Sequence, residues 1–324
     1  MNTITFKKLS FYIIALLFVA TSCKNSNNKT EVKPTKIANT TPFFKLSLAQ
    51  WSLHKTFNED GVSPFKFAEM SKEMGFEGLE YVSQLYNVEI EKLGFDVVID
   101  SLKTLSAQNG MQNVLIMVDN EGDLADPNEA VRDAAVENHK KWIDAAAKLG
   151  AHAIRVNTFG TNDPEIWKTT VVDGLQKLAT YAATKNINVL CENHGWLSSD
   201  AEKLMQAIED VNMANCGTLP DFGNWCTKRK DATAKWGECA EVYPDKYRGT
   251  KLMMAAAKAV SAKSYDFDEN GNETTIDYTK MLQIVKDASY TGFVGVEYEG
   301  SLLNETAGIK ATKNLLLTAA KQVK

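Results

Sequence analysis

Residues 133–157 read DAAVENHKKWIDAAAKLGAHAIRVN, and the order of features within them sets the fold class. Ala135, Ile143, Ala146 and Ala147 recur at helical spacing and give one apolar stripe. Gly150 follows the stripe, where a left-handed cap is wanted. Ala151–Asn157 is then a short apolar run that suits a buried strand. The same alternation recurs along the chain. Candidate strands are Lys45–Leu53, Gly75–Tyr81, Asn113–Val118, Ala151–Asn157, Ile187–Glu192, Cys216–Asp221, Ala259–Lys263 and Phe293–Tyr298. Amphipathic segments between and after them include Asp200–Val211, Tyr278–Ala288 and Lys310–Val323, and Gly75 and Gly292 repeat the capping position. Strands alternating with helices imply a parallel sheet. Eight such units from residue 44 onward predict one α/β domain, a (β/α)8 barrel spanning 44–324. An open doubly wound sheet would ordinarily carry a Gly-rich phosphate loop after its first strand. Here that strand runs into Gln50-Trp51-Ser52-Leu53-His54 instead.

The chain has 324 residues, 44% hydrophobic and 24% charged, which excludes a disordered or coiled-coil chain. Its net charge of −5 offers no basic excess for a phosphate backbone, so nucleic acid is not expected as a partner. The one long apolar run, Phe11–Ala20, stands at the N-terminus behind Lys7 and Lys8 and is too short to span a bilayer comfortably. Ala20-Thr21-Ser22-Cys23 resembles a bacterial lipoprotein cleavage box. Residues 1–22 are therefore expected to be a lipoprotein signal peptide, with Cys23 lipidated. Residues 23–43 are polar and read as a flexible tether. The expectation is an exported protein, lipid-anchored in the periplasm or at the outer membrane. Cys226 and Cys239 lie in one polar stretch and could be bridged in that compartment, with isolated thiols as the alternative.

In such a barrel, chemistry gathers where strands end. The fifth candidate strand ends in Cys191-Glu192-Asn193-His194-Gly195, the sixth in Pro220-Asp221-Phe222-Gly223-Asn224 and the eighth in Glu297-Tyr298-Glu299-Gly300. Period two places Glu192 and His194 on one face and Glu297 and Glu299 on one face. Glu192, Asp221 and Glu297 would then converge. Carboxylates that close repel unless a cation sits among them. Hard oxygen ligands favour Mg or Mn, and an added imidazole widens the choice to Co or Zn. Lys263 ends the seventh strand and could hold a substrate oxyanion. Arg155 could bind a substrate oxygen or form an internal ion pair, and His54 could be a site or a core residue. Glu80, Asn157, Asn224 and Glu299 complete the candidate substrate-binding set. His139 reads as a surface residue of a charged helix, and His152 starts the fourth strand at the end away from the chemistry. Loops Phe159–Trp167 and Trp225–Arg248, the latter with Trp236, Tyr243 and Tyr247, are expected to close the site. Tyr265–Glu273 reads as a turn around Asn270-Gly271.

Gly75-Phe76-Glu77-Gly78-Leu79-Glu80, Glu192-Asn193-His194, Asp221-Phe222-Gly223-Asn224, Lys263 and Gly295-Val296-Glu297-Tyr298-Glu299-Gly300 together resemble the xylose isomerase-like TIM-barrel superfamily. The resemblance is closer to its sugar phosphate isomerase/epimerase branch. It implies a divalent metal held by Glu, Asp, His and Glu from strands five to eight. Glu192, Asp221 and Glu297 match three of those places. The fourth departs: the family pattern His-x-Lys is Ser261-Ala262-Lys263 here. His194, Glu299 or a water are the candidates to complete the shell, and a weakened or absent metal is the alternative. The resemblance further implies isomerase or epimerase chemistry, proton transfer beside a carbonyl, with Glu192 and Glu297 as acid–base pair and Lys263 on a substrate oxygen. Export argues for a non-phosphorylated sugar or keto-sugar as the small-molecule substrate. A 3-keto-glycoside lyase or hydratase and a non-catalytic sugar-binding lipoprotein are the alternatives. An abasic-site nuclease of the same superfamily is disfavoured by four His in total and by the acidic charge. An oligomer stays open.

Overall fold

The structure, a computed structural model, describes residues 41–324. The expected signal peptide, Cys23 and nearly all of the expected tether lie outside the described residues. Ten strands are present: β1 Lys45–Ala49, β2 Gly78–Val82, β3 Gln112–Val118, β4 Ala153–Val156, β5 Asn188–Glu192, β6 Cys216–Leu219, β7 Cys226–Arg229, β8 Cys239–Val242, β9 Val260–Ser264 and β10 Phe293–Tyr298. Eight of them form one parallel sheet in the order β6-β5-β4-β3-β2-β1-β10-β9. The two edges meet. Lys258 N donates to Thr218 O (3.1 Å), Ser261 N to Pro220 O (3.0 Å) and Phe222 N to Ser261 O (3.1 Å). These bonds carry parallel bridges Thr218–Ala257 and Asp221–Ser261 and close the barrel. No helix among the described residues is long and apolar enough to cross a membrane.

Local chemistry explains the element boundaries. Six helices start on an Asn or Asp whose side chain accepts from amides of the first turn: Asn128, Asp163, Asp200, Asp245, Asp277 and Asn304. The helix before β4 runs from Glu129 to Leu149, and Gly150 closes it at φ +76°. Gly75 also adopts the left-handed conformation, whereas Gly292 does not; Ser289, at φ +57°, takes that role in its loop. The first strand stops at Ala49 because Gln50–Leu53 coil into a 3-10 turn. The sixth stops at Leu219, where Pro220 has no N–H to extend a ladder.

The core lies between sheet and helices, with Leu48, Leu79, Leu115, Ile154, Leu175, Val189, Leu204, Met281 and Val294 fully buried. Trp167 belongs to this core: it is buried, with its Nε1 donating to Thr158 O. The strands β7 and β8 stand apart as an antiparallel hairpin after β6, stapled by a disulfide between Cys226 and Cys239. Cys191 and Cys216 are free and buried. The turn expected at Asn270-Gly271 is present, with a Phe267–Glu273 bridge and Gly271 at φ +79°.

Candidate functional site

Glu192 ends β5, Asp221 follows β6, Ser261 and Lys263 belong to β9, and Glu297 belongs to β10. All five are buried. One carboxylate oxygen from each of Glu192, Asp221 and Glu297 lies within 4.8 Å of the others, the only such grouping of potential ligands among the described residues. Ser261 sits inside this group. Its Oγ donates to Asp221 Oδ2 at 2.5 Å and lies 3.2 Å from Glu297 Oε2. The other oxygen of Asp221 accepts from the amides of Gly223 and Asn224, both at 2.8 Å. Lys263 Nζ donates to Glu297 Oε1 and Glu299 Oε1, each at 2.9 Å.

A second network borders the first. Arg155, on β4, places Nη1 2.7 Å from Asp119 Oδ1 and Nε 2.9 Å from Glu192 Oε2. The latter contact is an ion pair, since the N–H is not aimed along it. Asn157 Nδ2 also donates to Asp119 Oδ1 (2.6 Å), and its Oδ1 accepts from His194 Nδ1 (2.7 Å). That bond fixes the tautomer of His194 and leaves Nε2 as an acceptor. Asn224 Nδ2 donates to Glu192 Oε1 at 2.9 Å.

The electrostatics follow from burial and charge. Burial pushes the Glu192 carboxyl well up, Asp221 and Glu297 push it further, and Arg155 opposes them. Asp221 is raised by burial and by Glu297, against Lys263 and the Ser261 hydroxyl. Burial would neutralise Lys263, but Glu297, Glu299 and Asp221 hold it protonated well above its ordinary value. Asp119 is pushed up by burial and pulled below its usual range by Arg155 and His194. Burial and the Arg155 charge drop His194 to about 3, so its ring is neutral at physiological pH. Among the described residues, the acidic groups Asp119, Glu192, Glu297 and Glu299 form ion pairs with two lysine or arginine side chains, Arg155 and Lys263, and the fifth acidic group, Asp221, has no ion pair. Such an excess of buried hard oxygen donors fits a divalent cation, with Glu192, Asp221 and Glu297 as its protein ligands.

The structure does not place every expected residue here. His194 is held by Asn157 and is not among the converging ligand atoms. His54 lies outside the cavity: its ring stacks on Trp51 at 4.7 Å, and Nδ1 faces Trp51 O (2.8 Å) and Glu305 Oε1 (3.5 Å). The 3-10 turn after β1 carries it into the neighbouring cleft at the start of helix Glu305–Ala319. Glu80 is buried a layer deeper, with Oε1 accepting from Ser47 Oγ at 2.6 Å and Oε2 without a partner. A Cβ at Gly295 would stand 2.5 Å from that oxygen, so the glycine makes the carboxyl's room. Burial raises Glu80 to about 8, and it is not among the residues that border the cavity. His139, expected on the surface, is buried and borders the cavity.

The cavity above the carboxylates measures about 890 Å³. Arg155, Asn157, His194, Asn224, Glu297 and Glu299 border it, together with Trp51, Phe159, Trp236 and Tyr265. Trp236 reaches over from the β7–β8 hairpin and packs on His194 (4.6 Å) and Phe159 (5.3 Å). Tyr243 and Tyr247, expected at the mouth, are elsewhere: Tyr243 bonds Glu202, and Tyr247 accepts from the Asp277 amide. Asp119 is a residue that the reading of the sequence missed. It follows an apolar strand directly, the same signal that singles out Glu192.

The description "xylose isomerase-like TIM barrel" belongs to the family model that matches residues 68–318. No curated protein sequence gives a significant match. Among solved structures, a D-tagatose 3-epimerase-like protein superposes with a TM-score of 0.65 at 17% identity, covering 86% of this chain and 99% of its own. A 3-keto-D-glucoside 4-epimerase from E. coli, in apo form, gives 0.63 at 16% identity, with 84% and 98% covered. A protein from Mycobacterium smegmatis in complex with magnesium gives 0.60 at 15% identity, with 87% and 99% covered. With 251 consecutive residues matched and all eight barrel strands in place, the chain belongs to the xylose isomerase-like TIM barrel family.

Proposed function

We propose that the protein is a sugar isomerase or epimerase that moves a proton at the carbon beside a carbonyl of a non-phosphorylated sugar or keto-sugar. The observation that carries this reading is the convergence of Glu192, Asp221 and Glu297 at the strand ends, with Lys263 buried against Glu297. One glutamate accepts the proton from carbon, the C–H electron pair moves into the carbonyl, and its oxygen takes up negative charge. The other glutamate, as an acid, returns a proton to the opposite face. Burial and the neighbouring Asp221 and Glu297 raise the Glu192 carboxyl, a shift in the direction that favours the acid role. The ammonium of Lys263 supplies positive charge beside Glu297 and the developing oxyanion. Asn157, Asn224, Glu299 and His194 border the cavity, which supports them as partners for hydroxyls, and Trp236 as a cover for a sugar face. A divalent cation held by Glu192, Asp221 and Glu297 would supply Lewis-acid polarisation of the carbonyl. The epimerases named among the similar structures support sugar chemistry, and the 3-keto-glucoside enzyme lends weight to a keto-glycoside substrate and to the lyase or hydratase alternative. The N-terminal sequence supports export and lipid anchoring through Cys23.

The test is solvent exchange. Purified protein is incubated with D-tagatose, D-fructose and a 3-keto-glucoside in D2O and followed by proton NMR. Loss of the signal at the carbon beside the carbonyl, absent in Glu192→Gln and Glu297→Gln, is expected. Binding without exchange in the wild type would replace this reading with a sugar-binding lipoprotein. The observation favouring that second reading is Ser261, whose hydroxyl already occupies Asp221 Oδ2.

A further inference from the structure

The β7–β8 hairpin brings one more charge to the cavity than the proposed chemistry uses. Arg229 ends β7 and borders the cavity. Its guanidinium is fixed from behind by backbone carbonyls: Nε donates to Lys235 O (3.3 Å) and Nη1 to Gly237 O (3.0 Å). Nη2 lies over Gly195, 3.3 Å from where a Cβ would stand, and donates to no group among the described residues. No carboxylate lies within ion-pair distance of Arg229 among the described residues. The one acidic group that acts on its charge is the phenol of Tyr265, which burial keeps protonated.

The other cations of the cavity are all committed. Arg155 is held by Asp119 and Glu192, Lys263 by Glu297 and Glu299, and Lys235 by Asp123. Among the described residues, Arg229 thus presents the one unneutralised positive charge of the cavity, oriented by the backbone and partly desolvated. Holding a guanidinium so, without an anion, is unfavourable unless an anion arrives with the ligand. A lone cation matches a monoanion. A phosphate, near −2, would want a second one, and none borders the cavity unpaired among the described residues.

We infer that the substrate is an acidic sugar, a keto-uronate class molecule whose terminal carboxylate is bound by Arg229 while its carbonyl end faces Glu192 and Glu297. This rests on the sugar isomerase reading and narrows it. Arg229 comes to the cavity on the β7–β8 hairpin, over Gly195, whereas Glu297 borders the same cavity from β10, so one ligand can meet both.

Calorimetric titration of the purified protein with matched pairs tests it: D-tagaturonate against D-tagatose, D-fructuronate against D-fructose, and D-tagatose 6-phosphate as the competing anion. Each uronate is expected to bind at least about tenfold tighter than its neutral partner, as a charge-assisted hydrogen bond warrants. Arg229→Gln should erase that preference while leaving the neutral sugars' affinity in place, which also shows that the variant is folded. Arg229→Lys should restore part of it. Equal affinity for both members of each pair, or an equal loss for both in Arg229→Gln, overturns the inference. So does tighter binding of the phosphate than of the uronate. Preference for the uronate without deuterium exchange would leave the inference standing and remove the isomerase reading, and failure of every sugar to bind would remove both.

Discussion

The two sides of the barrel solve the problem of buried polarity in opposite ways. On the β1–β3 side the buried polar groups of the strands are neutral, and all but Glu80 Oε2 are paired. Gln50 Nε2 donates to Tyr86 Oη at 2.8 Å, and its Oε1 accepts from the Val82 amide at 3.0 Å. Tyr81 donates to Asn113 Oδ1 (3.0 Å), and Asn113 Nδ2 donates to Leu149 O (2.8 Å). On the β5, β6, β9 and β10 side the polar groups are charged, and carboxylates outnumber cations. Neutral buried networks that are fully paired hold a structure in register. Buried like charges raise one another's pKa and cost stability. The difference marks the second side as the one shaped by chemistry rather than by folding.

The largest effect expected from breaking that contrast is on turnover. Glu297→Gln or Glu192→Gln should lower kcat by about a hundred- to ten-thousandfold, the usual worth of a positioned acid or base. In chelated protein the same substitutions should leave Tm unchanged or raise it, since each removes a charge from a crowded group. Kinetics and calorimetry on the same samples check both. A large fall in Tm would show that these carboxylates hold the fold together.

Gln50→Ala inverts the pattern. It leaves the Val82 amide without its acceptor in a buried place, while the Tyr86 hydroxyl loses the Gln50 donor and keeps Pro64 O. That should cost about 1–3 kcal/mol in denaturant unfolding, with kcat of the folded enzyme close to wild type. A kcat loss as large as that of the glutamate variants would join the two sides into one functional unit.

Glu80 sharpens the comparison because it is an acid on the neutral side. Its carboxyl, with one hydroxyl partner and no cation, is raised from near 4.5 to about 8. The sign follows from the raised folded value. Below the unfolded pKa both states are protonated and there is no penalty. As pH rises from about 4.5 to about 8 the unfolded chain ionises while the folded one does not, so stability is lost across that window. Glu80→Gln removes the titration. It should therefore stabilise the protein more at pH 8 than at pH 5, by urea unfolding at the two pH values. An equal change at both would show that Glu80 is ionised in the fold.

The barrel was legible in the sequence because each unit declares itself twice, by an apolar strand and by an amphipathic helix with a polar cap or a terminal glycine. The last strand is read to the residue, Phe293–Tyr298. The carboxylate trio was equally legible, since strand ends in a closed parallel sheet point to one place. What was not legible is what side chains do once there. Asn157 takes the Nδ1 of His194, and Ser47 takes Glu80, pairings set by contacts between strands. The hairpin was hidden for another reason. Cys226–Arg229 and Cys239–Val242 are short, polar and half exposed, so no apolar alternation announces them.

That hairpin gives the smallest expected effect on stability, and it tests where the cavity's roof belongs. The disulfide joins residues 13 apart in sequence. In a chain-entropy account a bridge around a loop of that size constrains the open form by about 3 kcal/mol. That applies to opening of the hairpin itself. The barrel's own ladder closes through Thr218, Pro220 and Ser261 without it. Replacing Cys226 and Cys239 by Ser should therefore move Tm by only a few degrees. Amide exchange over 226–242 should quicken by about tenfold or more while β1–β6, β9 and β10 keep their protection. Because Lys235, Trp236 and Arg229 ride on this segment, ligand affinity should fall more than kcat. A loss of protection spreading into β6 and β9 would mean that the roof and the closure of the barrel form one cooperative unit, and the division between a folding side and a chemical side would have to be redrawn around it.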